Sequence, residues 1–208
     1  MMVVSHETWA LAAVSISVIG YVPYITSVLK GRTRPHVFTW FVWALMIGVV
    51  YVAQSQNGAG PGAWVMLLSC SVCSLITLLA LFKGERGITR IDIGAFVLAL
   101  LGIALWGVTG NPLLAVLLMM FVDFLAMVPT FRKTWYRPHE ELAWLYGINV
   151  VRFILSIFAL TTLSVVTVLP PIFMSVAEGA LAMMIVYRRL DIMRRRKKAL
   201  RQRIRRAA

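Results

Sequence analysis

The sequence predicts an all-α integral membrane protein of seven transmembrane helices, on three observations. The 208 residues are 60% hydrophobic and only 14% charged, where a water-soluble domain is about a quarter charged. The apolar residues gather into seven runs, at 9–29, 36–54, 63–82, 91–110, 112–131, 142–163 and 171–188, most of them close to the ~20 residues a helix needs to cross hydrocarbon. Basic residues fall between the runs in an alternating pattern.

The first run is read as a permanent span. Residues 1–8 carry no Lys or Arg, and Trp9 to Leu29 passes Gly20 and Pro23 without an evident cleavage site, so the marks of a signal peptide are missing. The segment after it holds Lys30, Arg32 and Arg34; residues 55–62 hold no basic residue and are rich in Gly and Pro. Residues 83–90 hold Lys83, Arg86 and Arg90, and the turn Gly110-Asn111-Pro112 holds none. Residues 132–141 hold Arg132, Lys133 and Arg137, and 164–170 hold none. Basic loops stay on the cytoplasmic side. All of them share that side only if the N-terminus is outside and the C-terminus inside, which requires an odd number of spans. Spans four and five nearly meet, so one long helix kinked at Pro112 is the alternative. It would place the 132–141 loop opposite the other basic segments.

Of the 21 Lys and Arg residues, eleven lie at Arg188 or later. This tail is expected to continue span seven as a helix along the inner leaflet and to attract anionic lipid. With seven apolar spans before it, nucleic acid is not an expected partner.

The chain contains an internal repeat. Val22-Pro23, a basic segment, Arg34-Pro35-His36 and Trp40 are echoed by Val128-Pro129, a basic segment, Arg137-Pro138-His139 and Trp144. Pro35 and Pro138 suit first-turn helix positions, where a missing N–H costs nothing, and His36 and His139 suit loop or first-turn positions. The expected units are 1–90 as a first triple-helix repeat, 91–111 as a linking span, 112–190 as a second repeat and 191–208 as a basic cytoplasmic tail. An odd unit plus one linking span gives both copies the same orientation, the parallel arrangement common where a protein opens alternately to its two sides.

In this 3+1+3 pattern, with a proline near the inner end of the first helix of each triple, the chain resembles the SWEET sugar transporters and the wider PQ-loop superfamily. The family's Pro-Gln pair stands as Pro23-Tyr24 in one copy and Pro129-Thr130 in the other, matching the prolines and not the glutamines. The resemblance implies alternating access with Pro23 and Pro129 as hinges and a single pathway through a monomer, with a homo-oligomer left open. Related members carry amino acids or act as receptors, so sugar transport does not follow.

Three ionisable residues fall near the middle of apolar runs: Asp123 in span five, Arg152 in span six and Glu178 in span seven. Each is expensive in hydrocarbon unless it is paired or lines a wet cavity. All three belong to the second repeat, and Asn149 lies one turn from Arg152 on the same face. Counted from the prolines, Asp123 corresponds to Ser17, Glu178 roughly to Cys70 and Arg152 to Val49, so the chemistry is not repeated. The expected substrate and proton site is Asp123, Arg152, Glu178 and Asn149 with Trp43, which could stack on a ring or sugar face. The competing reading is a static ion-pair cluster pinning three helices. Trp40 and Trp106 are the other aromatic candidates, against packing or interfacial anchoring. Gly20, Gly48, Gly94, Gly102 and Gly179 would permit close helix approach.

No metal-ligand cluster, phosphate-binding loop or nucleophile elbow is present, so no catalytic residue, metal or cofactor is assigned. Cys70 and Cys73, three apart in one run, read as small buried side chains. The expected function is transport of a small polar solute, a sugar, amino acid or organic acid, with proton coupling as an option, in a cell membrane, foremost a bacterial inner membrane. The alternative is a receptor or scaffold; an intramembrane enzyme using Asp123 and Glu178 ranks third.

Overall fold

The computed structural model describes residues 5–32, 34–84, 88, 90–141 and 143–207. The side chains at 92, 129, 133, 140, 196 and from 199 onward lie outside that description, as does Arg86. The described residues form seven α-helices: α1 (His6–Leu29), α2 (Val37–Gln56), α3 (Trp64–Lys83), α4 (Arg90–Thr109), α5 (Pro112–Tyr136), α6 (Ala143–Phe158) and α7 (Val165–Ala207). Five are long and apolar enough to cross a membrane: α1, α2, α3 with the 3-10 turn before it, α5, and α7 as far as Arg195. The apolar stretches Ile93–Thr109 and Ala143–Phe158 are shorter. Large apolar side chains point outward along the helices, among them Leu11, Ile19, Ile91, Phe121 and Met183, each more than half exposed. That is the surface of a chain whose surrounding solvent is hydrocarbon.

The α4–α5 junction decides between two helices and one kinked helix. Gly110 has φ +65, a left-handed conformation that suits glycine at a helix C-terminus, and its N–H donates to Trp106 O at 2.8 Å. Asn111 Oδ1 then accepts from Leu113 N at 3.0 Å, with Pro112 opening α5, where its missing N–H costs nothing. The chain therefore turns, and α4 packs back against α5.

Two boundaries differ from those expected. Span six ends at Phe158 rather than 163, and residues 164–170 are not a loop, because α7 begins at Val165. Ser164 Oγ accepts from Thr167 N at 3.2 Å while Thr167 Oγ1 accepts from Ser164 N at 2.9 Å, a reciprocal cap that starts the helix. Pro170 and Pro171 lie within its first turns. Pro171 has no N–H to offer Thr167 O, and the Gln54 amide supplies one instead at 2.7 Å. Apolar periodicity does not register such a replacement of a backbone donor by a side chain from another helix. α5 also runs on to Tyr136, and α7 continues unbroken through the basic tail to Ala207, on the order of 65 Å at 1.5 Å per residue. Pro35 lies outside α2, whose cap is His36, with Nδ1 accepting from Thr39 N. Pro138 instead opens a 3-10 turn over Pro138–Glu140.

The packing has an internal order. α3 packs on both α1 and α2, and α7 packs on both α5 and α6. Between these groups α1 meets α6 and α2 meets α5, while α4 lies against α2 and α5. The main core joins Val42, Met46, Val49 and Val50 of α2 to Val65 and Met66 of α3, Met119 and Val122 of α5 and Phe153 of α6. Of the glycines expected at close approaches, Gly102 is tight, since a Cβ there would lie 2.4 Å from Met119 Cε. Gly94 faces open space, with nothing within 4 Å of a Cβ.

Candidate functional site

A cavity of about 450 Å³ lies among α1, α2, α3, α5, α6 and α7, within the ~300–1,000 Å³ range of small-molecule sites. Asp123, Asn149, Arg152, Glu178 and Trp43 all line it. Trp40 lines it as well. Trp106 packs into the core beside α2 and α5 instead. Of the two prolines expected as hinges, Pro23 sits within the continuous α1, where its missing N–H leaves Ile19 O without the usual helical partner. The Pro129 side chain lies outside the described residues.

Arg152 is 5% exposed, yet among the described residues no carboxylate oxygen lies within ion-pair distance of it. Neutral groups from the other half of the chain hold it. Nη1 donates to Tyr21 Oη at 3.0 Å and to Ser69 Oγ at 3.4 Å, and Tyr21 Oη donates to Ser69 Oγ at 3.1 Å. The guanidinium carbon stands 4.5 Å from the Phe153 ring centre and 5.2 Å from that of Tyr21, within range for cation–π attraction. The three ionisable residues thus share a cavity, and the ion pairs of the competing reading are not formed among them.

Asp123 Oδ2, Glu178 Oε2 and Arg152 Nε are each buried without a hydrogen-bond partner. The Asn149 amide lies beside the Glu178 carboxyl, and Arg152 and Asp123 are close enough to act on its charge. Leaving a buried polar atom unpaired costs about 1–3 kcal/mol, more for a charged group. Three such atoms around one cavity mean that the fold carries this cost where a ligand could relieve it.

The lining residues keep a regular register. Ser17, Gly20, Tyr21 and Tyr24 of α1 and Asp123, Ala126, Met127 and Thr130 of α5 all line the cavity, each of the second set 106 positions after its counterpart. Trp43, Met46 and Val50 of α2 are followed at 103 positions by Tyr146, Asn149 and Phe153 of α6. Cys73 rather than Cys70 lines the cavity; Cys70 Sγ donates to Ala44 O within the helix packing.

Sequence reasoning missed Tyr21, Ser69 and Tyr146. Tyr21 carried a signal, since a phenol inside an apolar run needs a partner, and it lies one turn from Ser17. Ser69 carried none, because a helical serine can satisfy itself on its own backbone. Tyr21→Phe should strip Arg152 of its shortest hydrogen bond and lower stability by about 1–3 kcal/mol. Thermal melting of the detergent-solubilised protein, against Ser71→Ala on an exposed face, measures it.

The two charge-free loops meet at one end of the helix bundle. Gly58, Gly60 and Gly62 lie against Thr162, Thr161 and Leu160, so close that Cβ atoms added to the glycines would meet those residues at 2.8, 2.6 and 2.5 Å. Thr161 N donates to Ala59 O at 3.2 Å, and Thr161 Oγ1 to Gly58 O at 2.7 Å. His6 Nδ1 lies 3.1 Å from Phe158 O beside them, and the Gln54–Thr167 bond lies just beneath. At the opposite end, Arg188 Nε donates to Trp135 O, and Arg189 donates to Pro138 O and Glu141 O, so these contacts tie α7 to its own half. Lys83 Nζ donates to Leu29 O in the other half.

No protein-family model matches the chain, and no characterised protein or solved structure does either.

Proposed function

We propose that this chain is a seven-span membrane transporter of the SWEET and PQ-loop kind, moving a small polar solute by alternating access through the central cavity. The observation that carries the reading is the set of unpartnered charged atoms around that cavity, Asp123 Oδ2, Glu178 Oε2 and Arg152 Nε, surrounded by helices apolar enough to cross a membrane. The lining register of 106 and 103 positions, and the exchange-symmetric packing of α1 on α6 and α2 on α5, support two parallel triple-helix repeats joined by α4. α4 and α6 are the spans whose shorter apolar lengths call for local thinning of the bilayer or packing against their neighbours. The basic loops and tail then face the cytoplasm of a cell membrane, and the glycine-lined closure faces outside. Pro23 and Pro129 bend the first helix of each repeat as the ends exchange, and the tail rests on anionic lipid. Asp123 and Glu178, the carboxyls that line the cavity, are the residues that would couple proton and solute movement.

The test is reconstitution of the full chain in sealed vesicles enclosing a pH-sensitive dye, with sugars, amino acids and organic acids added singly. Solute-dependent proton entry is expected, and it should be lost in Asp123→Asn or Glu178→Gln. Entry unchanged in both variants would make the carboxylates structural. Saturable labelled-solute uptake without proton movement would remove the coupling and keep the transporter. Absence of both signals across the whole panel would overturn transport in favour of a receptor or scaffold.

A further inference from the structure

The cavity keeps its two signs of charge apart. Arg152 is turned toward Tyr21 and Ser69 of the first half and is held by hydroxyls, with Nε left unpaired. Glu178 and Asp123, from α7 and α5, each present an unpaired oxygen, and neither lies within 4.0 Å of the guanidinium. Opposite charges in a low-dielectric space attract strongly, so a cavity that separates them leaves room for something between.

The chemistry of that occupant follows by comparing the alternatives. A neutral polyol would supply hydrogen bonds but leave every charge uncompensated, which is the costly arrangement for buried ions. A simple anion would pair with Arg152 and face the two carboxyls; a simple cation would do the reverse. A solute carrying both a carboxylate and an ammonium satisfies both poles at once. Much of the remaining wall is apolar, with Trp43, Met46, Met66, Phe173 and Met174, and methionines adapt to irregular apolar groups.

We infer that the cavity binds an α-amino acid with an apolar side chain, its carboxylate on Arg152, its ammonium on Glu178 and Asp123, and its side chain against the Trp43 and methionine wall. The assignment rests on the central cavity being the solute site proposed above, and it narrows that site's substrate to an apolar zwitterion.

The experiment measures equilibrium binding of radiolabelled leucine to the purified full chain in detergent, alongside leucine uptake into sealed vesicles. Competitors are leucinamide, isopentylamine, 4-methylpentanoate and glucose. Leucine is expected to bind saturably. Leucinamide and isopentylamine, which lack the carboxylate, and 4-methylpentanoate, which lacks the ammonium, should compete about tenfold or more less well, the worth of one hydrogen bond to a charged group. In Arg152→Gln the difference between leucine and leucinamide should vanish. If that variant does not fold, the ranking of competitors on the unaltered chain still decides. Leucinamide competing as well as leucine, or no leucine binding at all, overturns the assignment. Saturable glucose uptake without leucine binding overturns it and leaves the transport reading standing. Leucine binding with the expected ranking but no uptake upholds it and removes transport.

Discussion

Gly62→Ala is expected to cut solute uptake by about tenfold while the protein stays folded. A Cβ at position 62 would stand 2.5 Å from Leu160 Cδ2 and 2.9 Å from Leu160 Cα. The first atom can swing away; the second belongs to the backbone, so the loops around residues 60 and 160 must separate. Overpacking of this kind costs about 1–3 kcal/mol, and it falls on the conformation in which these loops touch. In a protein that alternates between two states, the penalty shifts the population toward the one open at this end, by about tenfold for every 1.4 kcal/mol. Gly60→Ala compounds the effect, because Gly60 has φ +57 and a Cβ there would lie 2.6 Å from Thr161 Oγ1. Gly147→Ala is the matched control, with nothing within 4 Å of its Cβ. Initial rates of labelled uptake in sealed vesicles measure the effect. Equal rates for Gly62→Ala and Gly147→Ala would mean that the glycine-lined contact is ordinary loop packing.

Glu178→Met should move stability and function in opposite directions. The Glu178 carboxyl is buried in the cavity wall with Oε2 unpaired, and an acidic residue at the centre of a membrane helix costs on the order of 2.5–3.5 kcal/mol by insertion measurements. Methionine has nearly the same reach and no charge to bury, so the variant should melt at a higher temperature. Solute-driven flux should be lost, because the carboxyl is gone from the site. Sites held ready for ligands commonly carry such a trade. A purely structural role predicts the reverse sign, since removing one member of a buried interaction network destabilises. Melting of the two proteins side by side in one detergent, followed by uptake, separates the readings: a lower melting temperature would assign Glu178 to helix pinning.

Much of the fold was legible in the sequence because solvent imposes it. Seven apolar runs and the grouping of basic residues between them located the helices. Gly110-Asn111-Pro112 marked the α4–α5 turn through a left-handed glycine, a capping asparagine and a first-turn proline. The start of α7 was not legible. Two prolines normally argue against a helix interior, and Pro170 and Pro171 are accommodated through a cap at Ser164 and a carbonyl bond from Gln54, 113 positions away. The candidate site was legible in its charges and in two neutral residues, Asn149 and Trp43. Asp123, Arg152 and Glu178 stood out against apolar surroundings, and they do share one cavity. What holds Arg152 did not stand out, because its partners Tyr21 and Ser69 are neutral hydroxyl side chains whose role appears only when α1, α3 and α6 are brought together. The contact between the charge-free loops was hidden for a similar reason. In the sequence Gly58, Gly60 and Gly62 stand only in a Gly- and Pro-rich segment, and only the backbone of Leu160 and the side chains opposite explain why no larger residue fits.

Alternating access is tested most directly by a single cysteine in the cavity. Gly20 lies midway along α1 in the lining, and a Cβ there meets its neighbours at 3.7 and 3.8 Å, ordinary contact distances. Gly20→Cys in a Cys70→Ser, Cys73→Ser background therefore gives one thiol facing the cavity. It would be exposed to a membrane-impermeant maleimide in sealed vesicles of each orientation. With the glycine-lined end closed, labelling is expected from the face bearing the basic loops and not from the other, and Gly62→Ala should reverse the preference. Equal labelling from both faces, or a preference that Gly62→Ala leaves unchanged, would contradict alternating access through this cavity.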